Sequence, residues 1–385
     1  AYIILCSCST ATLLVCGLSG GGVPGAVAWL GTRTLFSAIG GSNPQSGAFS
    51  VLCAWLADYM PEEHLTAGFS LLLGAQFLTM GVFPMLVLVV RRLVSLTDSQ
   101  LILLAAVVSA LNIPLLIFGS PRGGQTVAAP RDVNHNDAVE EGHGLPIARS
   151  SSVIKDVCAA FRWIFRERLS VIIVWISINF YAAADSSNLM LFLSSGLKFT
   201  EAQANGVLSS IGMFGCIITF FVVPGLSKIV SRSLIILVGI ICSVGHCLVY
   251  GFATSASIIT ALGFLGSMSY SCIPTLLSYM KGADVRGCSH GTALGTFNGI
   301  GSITKIVGPP VLAVCLQSYI DHRGLCYVNG LPNFVGSGFV VVSAALLPAL
   351  IASISLVLRE RRAHDAGVGD CDLGASCSLQ GQQSS

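Results

Sequence analysis

One apolar segment of the chain, residues 170–194, carries a carboxyl and three large polar side chains in addition to its serines. They are Asp185, Asn179, Tyr181 and Asn188. Tyr181, Asp185 and Asn188 stand four and three residues apart, which places them on one face of a helix. An ionisable group at membrane depth is costly and usually faces a cavity or a charged partner. This face is therefore the predicted lining of a polar cavity.

Lys305 is a second ionisable residue deep within an apolar segment, residues 290–317. By helical rise, Asp185 lies roughly 24 Å and Lys305 roughly 23 Å from the same end of their predicted spans. Two interpretations follow from this similar depth. The residues could form a structural ion pair, or Asp185 could take up and release a proton while Lys305 tunes that exchange or binds an anionic substrate.

A further polar patch, Asn43 and Gln45 on either side of Pro44, lies in the apolar segment 29–57. Proline removes a backbone donor and clashes with the preceding helical turn, so we expect this helix to kink or open there. The freed carbonyls and the two amide side chains would then be available to a ligand. A purely structural kink is the alternative.

The composition indicates an integral membrane protein. Of the 385 residues, 53% are hydrophobic and 10% charged, and the mean hydropathy is +0.79. A soluble domain carries about a quarter charged residues. The net charge of +2 comes without a clustered basic face, so no nucleic-acid partner is expected.

The sequence contains no motif typical of a disulfide framework, a metal site or an enzyme active site. The 14 cysteines lie mostly within apolar runs at irregular spacing, which favours neither a disulfide framework nor a metal site. There is no P-loop, no G-x-S-x-G elbow and no H-E-x-x-H motif. We therefore expect no cofactor, no metal and no enzymatic activity, and we expect His246 to be satisfied by neighbours within its bundle.

The elements that would position the polar residues are apolar runs long enough to cross a bilayer. They are predicted to be helical because they lack the alternation of membrane strands. The predicted spans are 1–20, 29–57, 66–90, 99–118, 170–194, 204–226, 233–253, 256–280, 290–317 and 333–358.

A polar stretch divides these spans into two groups. Residues 1–119 are predicted to form a partial N-terminal bundle of about four helices, and residues 169–362 a six-helix C-terminal bundle. The stretch 120–168 is a linker that ends in an amphipathic helix suited to an anionic membrane surface. Residues 363–385 form a disordered tail. Lys and Arg concentrate on the linker side, which predicts that the linker and the C-terminus are cytosolic.

Three motifs carry a resemblance to major facilitator transporters, in the branch of the tetracycline exporters and hippocampus-abundant-transcript proteins. They are Ala57-Asp58 within 57–66, the loop 225–232 that ends at Arg232, and Ala283-Asp284-Val285-Arg286-Gly287. The motifs occur in family order over nearly the whole chain. The chain departs from the family pattern at Leu65, Lys228, Ser231 and His290. The resemblance also implies that the family's first two helices are missing before Ala1.

The resemblance implies a gating role for the charged residues of these motifs, Asp58, Asp284, Arg286 and Arg232. A carboxylate at a cytosolic helix end can pair with an arginine or cap a neighbouring helix, which latches one side of the bundle. The simpler interpretation is a solvated acid at a helix end.

The function implied by the family is secondary active transport of a small organic solute by alternating access, with proton-coupled efflux as the leading expectation. A carrier for uptake of a sugar or another metabolite is the first alternative. A transporter-like protein that moves nothing and acts in trafficking or binding is the second. The expected partners are the solute, protons or another ion, and membrane lipid, and the expected state is a monomer.

Overall fold

Helices form nearly all of the described chain, at the positions where the apolar runs predict them. The computed structural model describes residues 52–53, 56–57, 60–119, 151–253, 255–281, 290–322, 327–328 and 331–365, together with residues 11, 14, 15 and 18. Within those ranges the only strands are Tyr327–Val328 and Leu331–Pro332, which pair antiparallel. The predicted all-helical, polytopic fold is confirmed for this part of the chain.

The described helices have the following bounds in chain order: α1 (Glu62–Val94), α2 (Asp98–Gly119), α3 (Ser151–Glu167), α4 (Leu169–Leu191), α5 (Glu201–Ile217), α6 (Arg232–Phe252), α7 (Ala256–Ser269), α8 (Cys272–Lys281), α9 (His290–Asp321), α10 (Ser337–Ala345) and α11 (Leu347–Asp365). Two π-helical turns, Phe192–Gly196 and Ile218–Val222, extend α4 and α5. The second continues into the short helix Val223–Leu226.

Residue contacts divide the chain into two units. The first comprises Ala1–Ala48 and Thr97–Asp156, and it contains α2. The second comprises Phe49–Leu96 and Val157–Ser385. The segment 49–96, which the sequence analysis places in the N-terminal part of the chain, thus makes its contacts in the second unit.

Within the second unit, helices pack in pairs around an apolar core. Helix α1 runs along α5, α4 runs along α9, and α6 contacts α7, α10 and α11. The α4–α9 pair is joined by the stacked rings of Trp175 and Phe297, whose centroids lie 4.4 Å apart. The Trp175 indole N–H also donates to the Phe297 carbonyl over 2.7 Å.

Five helices in the described residues are long and apolar enough to cross a bilayer. They are Glu63–Val94, Glu201–Leu226, Arg232–Phe252, Ser257–Met280 and Ser337–Arg362. A bent pair, Val157–Arg166 and Leu169–Asp185, adds a sixth if it is counted as one span. The axes of this pair meet at 102°. The chain is therefore a multi-pass membrane protein.

Helices α1 and α5 approach each other backbone to backbone. A Cβ atom added at Gly212 would lie 2.4 Å from the backbone nitrogen of Gly81, and one added at Gly81 would lie 2.9 Å from the backbone nitrogen of Met213. No side chain fits between the two helices at this crossing. Small residues permit such contacts between membrane helices, where packing rather than the hydrophobic effect drives association.

The glycine contact predicts opposite effects for two alanine substitutions in the same helix. Gly212→Ala should destabilise the protein by about 1–3 kcal/mol, because the methyl group overlaps the backbone of Gly81. Gly206→Ala, where an added Cβ meets nothing within 4 Å, should be neutral or stabilise by up to about 1 kcal/mol. The free energy of unfolding in mixed detergent micelles measures both. Equal stabilities of the two variants would contradict the packing described here.

Candidate functional site

Asp185 lies on α4 inside the second unit and not on its lipid-facing surface. Only 4% of the residue is exposed. Its Oδ1 atom has no hydrogen-bond partner among the described residues. Because most buried polar atoms are paired, a buried carboxyl with an open oxygen indicates a place where a proton, a water molecule or a solute group binds.

Tyr181, one turn before Asp185, is completely buried and belongs to a chain of hydrogen bonds across three helices. Its hydroxyl oxygen lies 2.6 Å from Nδ1 of His246 on α6. The hydroxyl of Ser269, at the end of α7, lies 3.1 Å from the same oxygen. The Ser269 hydroxyl also reaches the carbonyl of Gly266. These contacts connect α4, α6 and α7 through polar atoms in the interior of the bundle.

The His246 ring is held in a narrow slot. Its centroid lies 3.9 Å from that of Tyr250, and the two rings meet edge to face. A Cβ atom at Gly266 would come within 2.9 Å of the ring, so this glycine leaves the space that the imidazole fills. The prediction that neighbouring residues provide hydrogen-bond partners for His246 is confirmed for Nδ1 only. Nε2 is buried and has no hydrogen-bond partner among the described residues.

A break in a membrane span lies beside this cluster. The span Ser257–Met280 is interrupted at Tyr270 and Ser271, which form a turn between α7 and α8. The Tyr270 ring lies 6.2 Å from the Tyr181 ring and 4.8 Å from Phe77 on α1. The backbone groups of the turn are paired within it: the N–H groups of Tyr270 and Ser271 donate to the carbonyls of Ser267 and Met268, and their own carbonyls accept from the Ile273 N–H and the Thr275 hydroxyl.

Several groups lie within electrostatic range of the Asp185 carboxyl. They are Tyr181 on its own helix, Cys247 and Tyr250 on α6, and Tyr270 at the break. No metal-binding group of three His, Cys, Asp or Glu side chains occurs in the part of the chain that the structure describes. The groups within electrostatic range of Asp185 carry hydroxyl, thiol and aromatic groups, which can form hydrogen bonds and supply apolar contact area.

Asn179 contributes to the α4–α9 contact rather than to this cluster. Its amide nitrogen donates to the carbonyl of Trp175 over 2.8 Å. A Cβ atom added at Gly301 of α9 would lie 3.0 Å from the Asn179 side chain and 2.7 Å from the Trp175 indole nitrogen. The side chain is thus engaged in packing, and Tyr181 and Asp185 carry the polar face that the sequence predicts.

Other predicted site residues lie outside the described structure or only partly within it. Asn43, Gln45, Asp58, Asp284 and Arg286 lie outside the described residues. Asn188 and Lys305 lie on α4 and α9, but their side chains are not described. The Asp185–Lys305 pair and the amide patch around Pro44 therefore stay predictions.

Arg232, the one predicted gating residue whose side chain is described, begins α6 at one end of the bundle. Together with Arg168 and Glu360, it acts electrostatically on Tyr279 of α8. Glu360 on α11 accepts a hydrogen bond from Ser233, the residue after Arg232. Charged and hydroxyl groups thus join α6, α8 and α11 at this end.

Sequence comparison assigns the family. The model of the Major Facilitator Superfamily matches residues 3–309, and the chain belongs to this superfamily. It is a membrane protein of a transporter family and not an enzyme. A search among curated protein sequences returns no significant match.

The fold is similar to solved major facilitator structures. The human organic anion transporter MFSD10 (TETRAN) shares 17% identity at a TM-score of 0.62, over 91% of this chain and 76% of that one. FucP in the outward conformation shares 13% at a TM-score of 0.56, over 91% and 81%. The E. coli fucose:proton symporter FucP in another structure shares 12% at 0.54, over 91% and 83%. At these identities the likeness extends to the fold alone.

The hydrogen bond between Tyr181 and His246 predicts an energetic coupling between the two residues. In a double-mutant cycle of Tyr181→Phe and His246→Leu, we expect a coupling free energy of about 0.6–1.7 kcal/mol, the range for hydrogen bonds between membrane helices. The stabilities of the protein, both single variants and the double variant give this value when measured by unfolding in mixed micelles. Strictly additive effects would show that the contact contributes nothing to stability.

Proposed function

We propose that the protein is a secondary transporter that moves a small organic solute by alternating access and couples this movement to protons. The observation that supports the proposal most strongly is the buried carboxyl of Asp185, with one open oxygen, beside the Ser269–Tyr181–His246 chain. An unsatisfied polar atom in a membrane interior costs free energy. Such atoms persist in membrane proteins where transport or proton transfer uses them.

The Ser269–Tyr181–His246 chain can reverse its direction without moving heavy atoms. The single hydroxyl hydrogen of Ser269 serves either the Gly266 carbonyl or the Tyr181 oxygen. When Ser269 donates to Tyr181, the phenol is free to donate to Nδ1 of His246, and the neutral ring then carries its hydrogen on Nε2. When Ser269 donates to Gly266, the phenol donates to Ser269, and Nδ1–H of His246 donates to the phenol.

These two arrangements differ in which imidazole nitrogen carries the hydrogen. A change from one to the other reverses the polarity of the bonds across α4, α6 and α7. It requires one ring nitrogen to release a proton while the other takes one up. At Nε2, which has no partner among the described residues, a water molecule or a solute group would exchange that proton. Asp185 lies one turn from Tyr181 and supplies a carboxyl that can hold the transported proton. In this mechanism Asp185 carries the proton, and His246 with Tyr181 adjusts its hydrogen bonds in response.

The proposed solute site is formed by the aromatic rings and the helix turn next to the same cluster. Tyr270 and Tyr250 provide aromatic rings, and Tyr270 lies at the turn within the span Ser257–Met280. Rocking of two helix sets around such a site gives alternating access. In the proposed transport cycle the predicted residues Asn43, Gln45, Asn188 and Lys305 complete the cavity, and Asp58, Asp284, Arg286 and Arg232 form the gate.

Two solute classes are the leading candidates. Similarity to the human organic anion transporter supports an organic, drug-like anion, which also agrees with the motifs of the tetracycline-exporter branch and with export. Similarity to the fucose:proton symporter supports a sugar taken up with protons. Both candidates use the same polar cluster, and they differ in the direction of solute movement relative to protons.

For orientation, we propose that the linker and the C-terminal end face the cytosol. Exposed basic residues occur in α3 and at the end of α11, and Arg168 and Arg232 both act on Tyr279 at that end of the second unit. This distribution agrees with the bias of Lys and Arg toward the cytosolic side. We further propose that the transporter works as a monomer surrounded by lipid.

The proton-coupling proposal predicts that Asp185→Asn abolishes the response of transport to a pH gradient. The protein is reconstituted into liposomes that contain a pH-sensitive dye, and fucose or carboxyfluorescein is offered with and without a pH gradient. We expect gradient-driven flux of one of the two solutes with the unsubstituted protein, and loss of at least about tenfold in the variant. Solute exchange without a gradient should persist.

Asp321→Asn is the matched control, because it removes an exposed carboxyl at the end of α9 whose bond from Gln317 an amide can still accept. Its pH response should equal that of the unsubstituted protein. Unchanged pH dependence in Asp185→Asn would remove this residue from the mechanism. Absence of flux for a broad panel of solutes, with the protein folded, would instead favour a transporter-like protein that acts in trafficking or binding.

A further inference from the structure

We propose that the second half of α3, Val157–Arg166, is a binding site for the headgroup of an anionic phospholipid. In this site Arg162 and Arg166 contact the lipid phosphate, and Phe161 and Phe165 enter the boundary between headgroups and acyl chains. The site lies apart from the Asp185 cluster and does not depend on which solute is transported.

The direction of α3 places it along the membrane plane. Only Arg168 separates it from α4, and the axes of the two helices meet at 102°. We call this bend at Arg168 the elbow. Helix α4 carries the buried Asp185 cluster and runs along α9 within the bundle, so it crosses the bilayer. A helix nearly perpendicular to a membrane-crossing helix lies parallel to the bilayer surface.

The side chains of α3 divide into rows with different surroundings. Ala160 and Ile164 are completely buried, and Ile164 belongs to the apolar core. Val157, Phe161 and Phe165, spaced four residues apart, are 41%, 47% and 38% exposed. The two phenyl rings contact each other with centroids 4.5 Å apart, so they form one continuous apolar surface. In a headgroup layer this surface would be covered by acyl chains, as in other interfacial helices.

A basic row lies next to this apolar row. Arg162 and Arg166 are exposed and one helical turn apart. The two rows together line one surface groove, which is formed by Val157, Cys158, Phe161, Arg162, Phe165 and Arg166. An apolar row beside two guanidinium groups matches a molecule that has a phosphate at one end and a hydrocarbon chain at the other.

The two arginines favour binding of an anion, and the two phenylalanines favour contact with the acyl chains of a lipid. Guanidinium groups bind phosphate oxygens through paired N–H donors, whereas zwitterionic headgroups offset this attraction with their own cation. A free phosphate ion would use the arginines and leave the rings exposed to water. The site therefore favours an anionic phospholipid over both a neutral lipid and a soluble anion.

The elbow connects this site to the transmembrane helix. The Arg168 guanidinium lies 6.0 Å from the centre of the Trp163 ring, so the elbow residue is in contact with α3 itself. A lipid bound to Arg162 and Arg166 would hold α3 at the membrane surface and, through the elbow, hold the first turn of α4.

Lipid retention by the purified full chain tests the proposal. Native mass spectrometry in a neutral detergent counts phosphatidylglycerol and phosphatidylcholine of the same acyl length bound to the protein. We expect preferential retention of phosphatidylglycerol. The double substitution Arg162→Glu with Arg166→Glu should weaken it by about tenfold or more, since each basic residue near an anionic surface contributes about fivefold.

Three further variants separate charge, geometry and apolar contact. Arg162→Lys with Arg166→Lys keeps the charge and should weaken phosphatidylglycerol binding less than reversal does. Phe161→Ser with Phe165→Ser should weaken retention of both lipids. The control Arg359→Glu with Arg361→Glu makes the same charge change at exposed residues of α11 and should leave the preference intact. Thermal unfolding of each variant confirms that it is folded.

Three results would overturn the proposal. The first is equal retention of the two lipids by the unsubstituted protein. The second is equal losses of phosphatidylglycerol binding from the α3 and α11 charge reversals. The third is displacement of phosphatidylglycerol by millimolar glycerol phosphate or inorganic phosphate, which would assign the arginines to a soluble anion. Retained preference in the presence of these anions supports a lipid.

Discussion

The interior of a bilayer offers no water to a polar side chain, so each polar group at that depth must find its partners within the protein. This constraint accounts for the way in which Tyr181, His246 and Ser269 meet although they come from three different helices. It also bears on two of the buried side-chain atoms that have no hydrogen-bond partner among the described residues, Asp185 Oδ1 and His246 Nε2. In the proposed mechanism, a transported proton or solute takes the place of the missing partner at these positions.

In a bilayer, the distribution of residue types is the reverse of that in a soluble protein, where apolar residues are buried and polar ones are exposed. Large apolar residues such as Phe221 and Phe252 are 73% and 68% exposed, as expected of a surface that faces lipid. Because lipid does not drive apolar surfaces together, the helices associate through close packing, and the Gly81–Gly212 crossing is an example. The polar interior and the glycine contacts together explain how a bundle of apolar helices acquires one specific arrangement.

Helix positions could be predicted from the sequence because bilayer thickness imposes a length that apolar composition reveals. The predicted span 233–253 corresponds to Arg232–Phe252, and burial of Tyr181 and Asp185 follows from their place in such a span. The partner of Tyr181 could not be predicted, since His246 is 65 residues away and pairing across helices leaves no local pattern. Pro274 was the available signal for the helix break, because a proline in a helix clashes with the carbonyl four residues earlier, here that of Tyr270. Likewise, the amphipathic pattern predicts α3 as a helix, but only three-dimensional structure reveals the 102° elbow.

The central claim is that Asp185 binds and releases a proton inside the bundle while remaining shielded from lipid. Infrared difference spectroscopy of the reconstituted protein measures this directly, because a protonated carboxyl has a stretching band that a carboxylate lacks. The account predicts a carboxyl band that changes when the pH is stepped, shifts when solute is added, and is absent in Asp185→Asn. An identical band in that variant, or no pH-dependent carboxyl band in the unsubstituted protein, would contradict it.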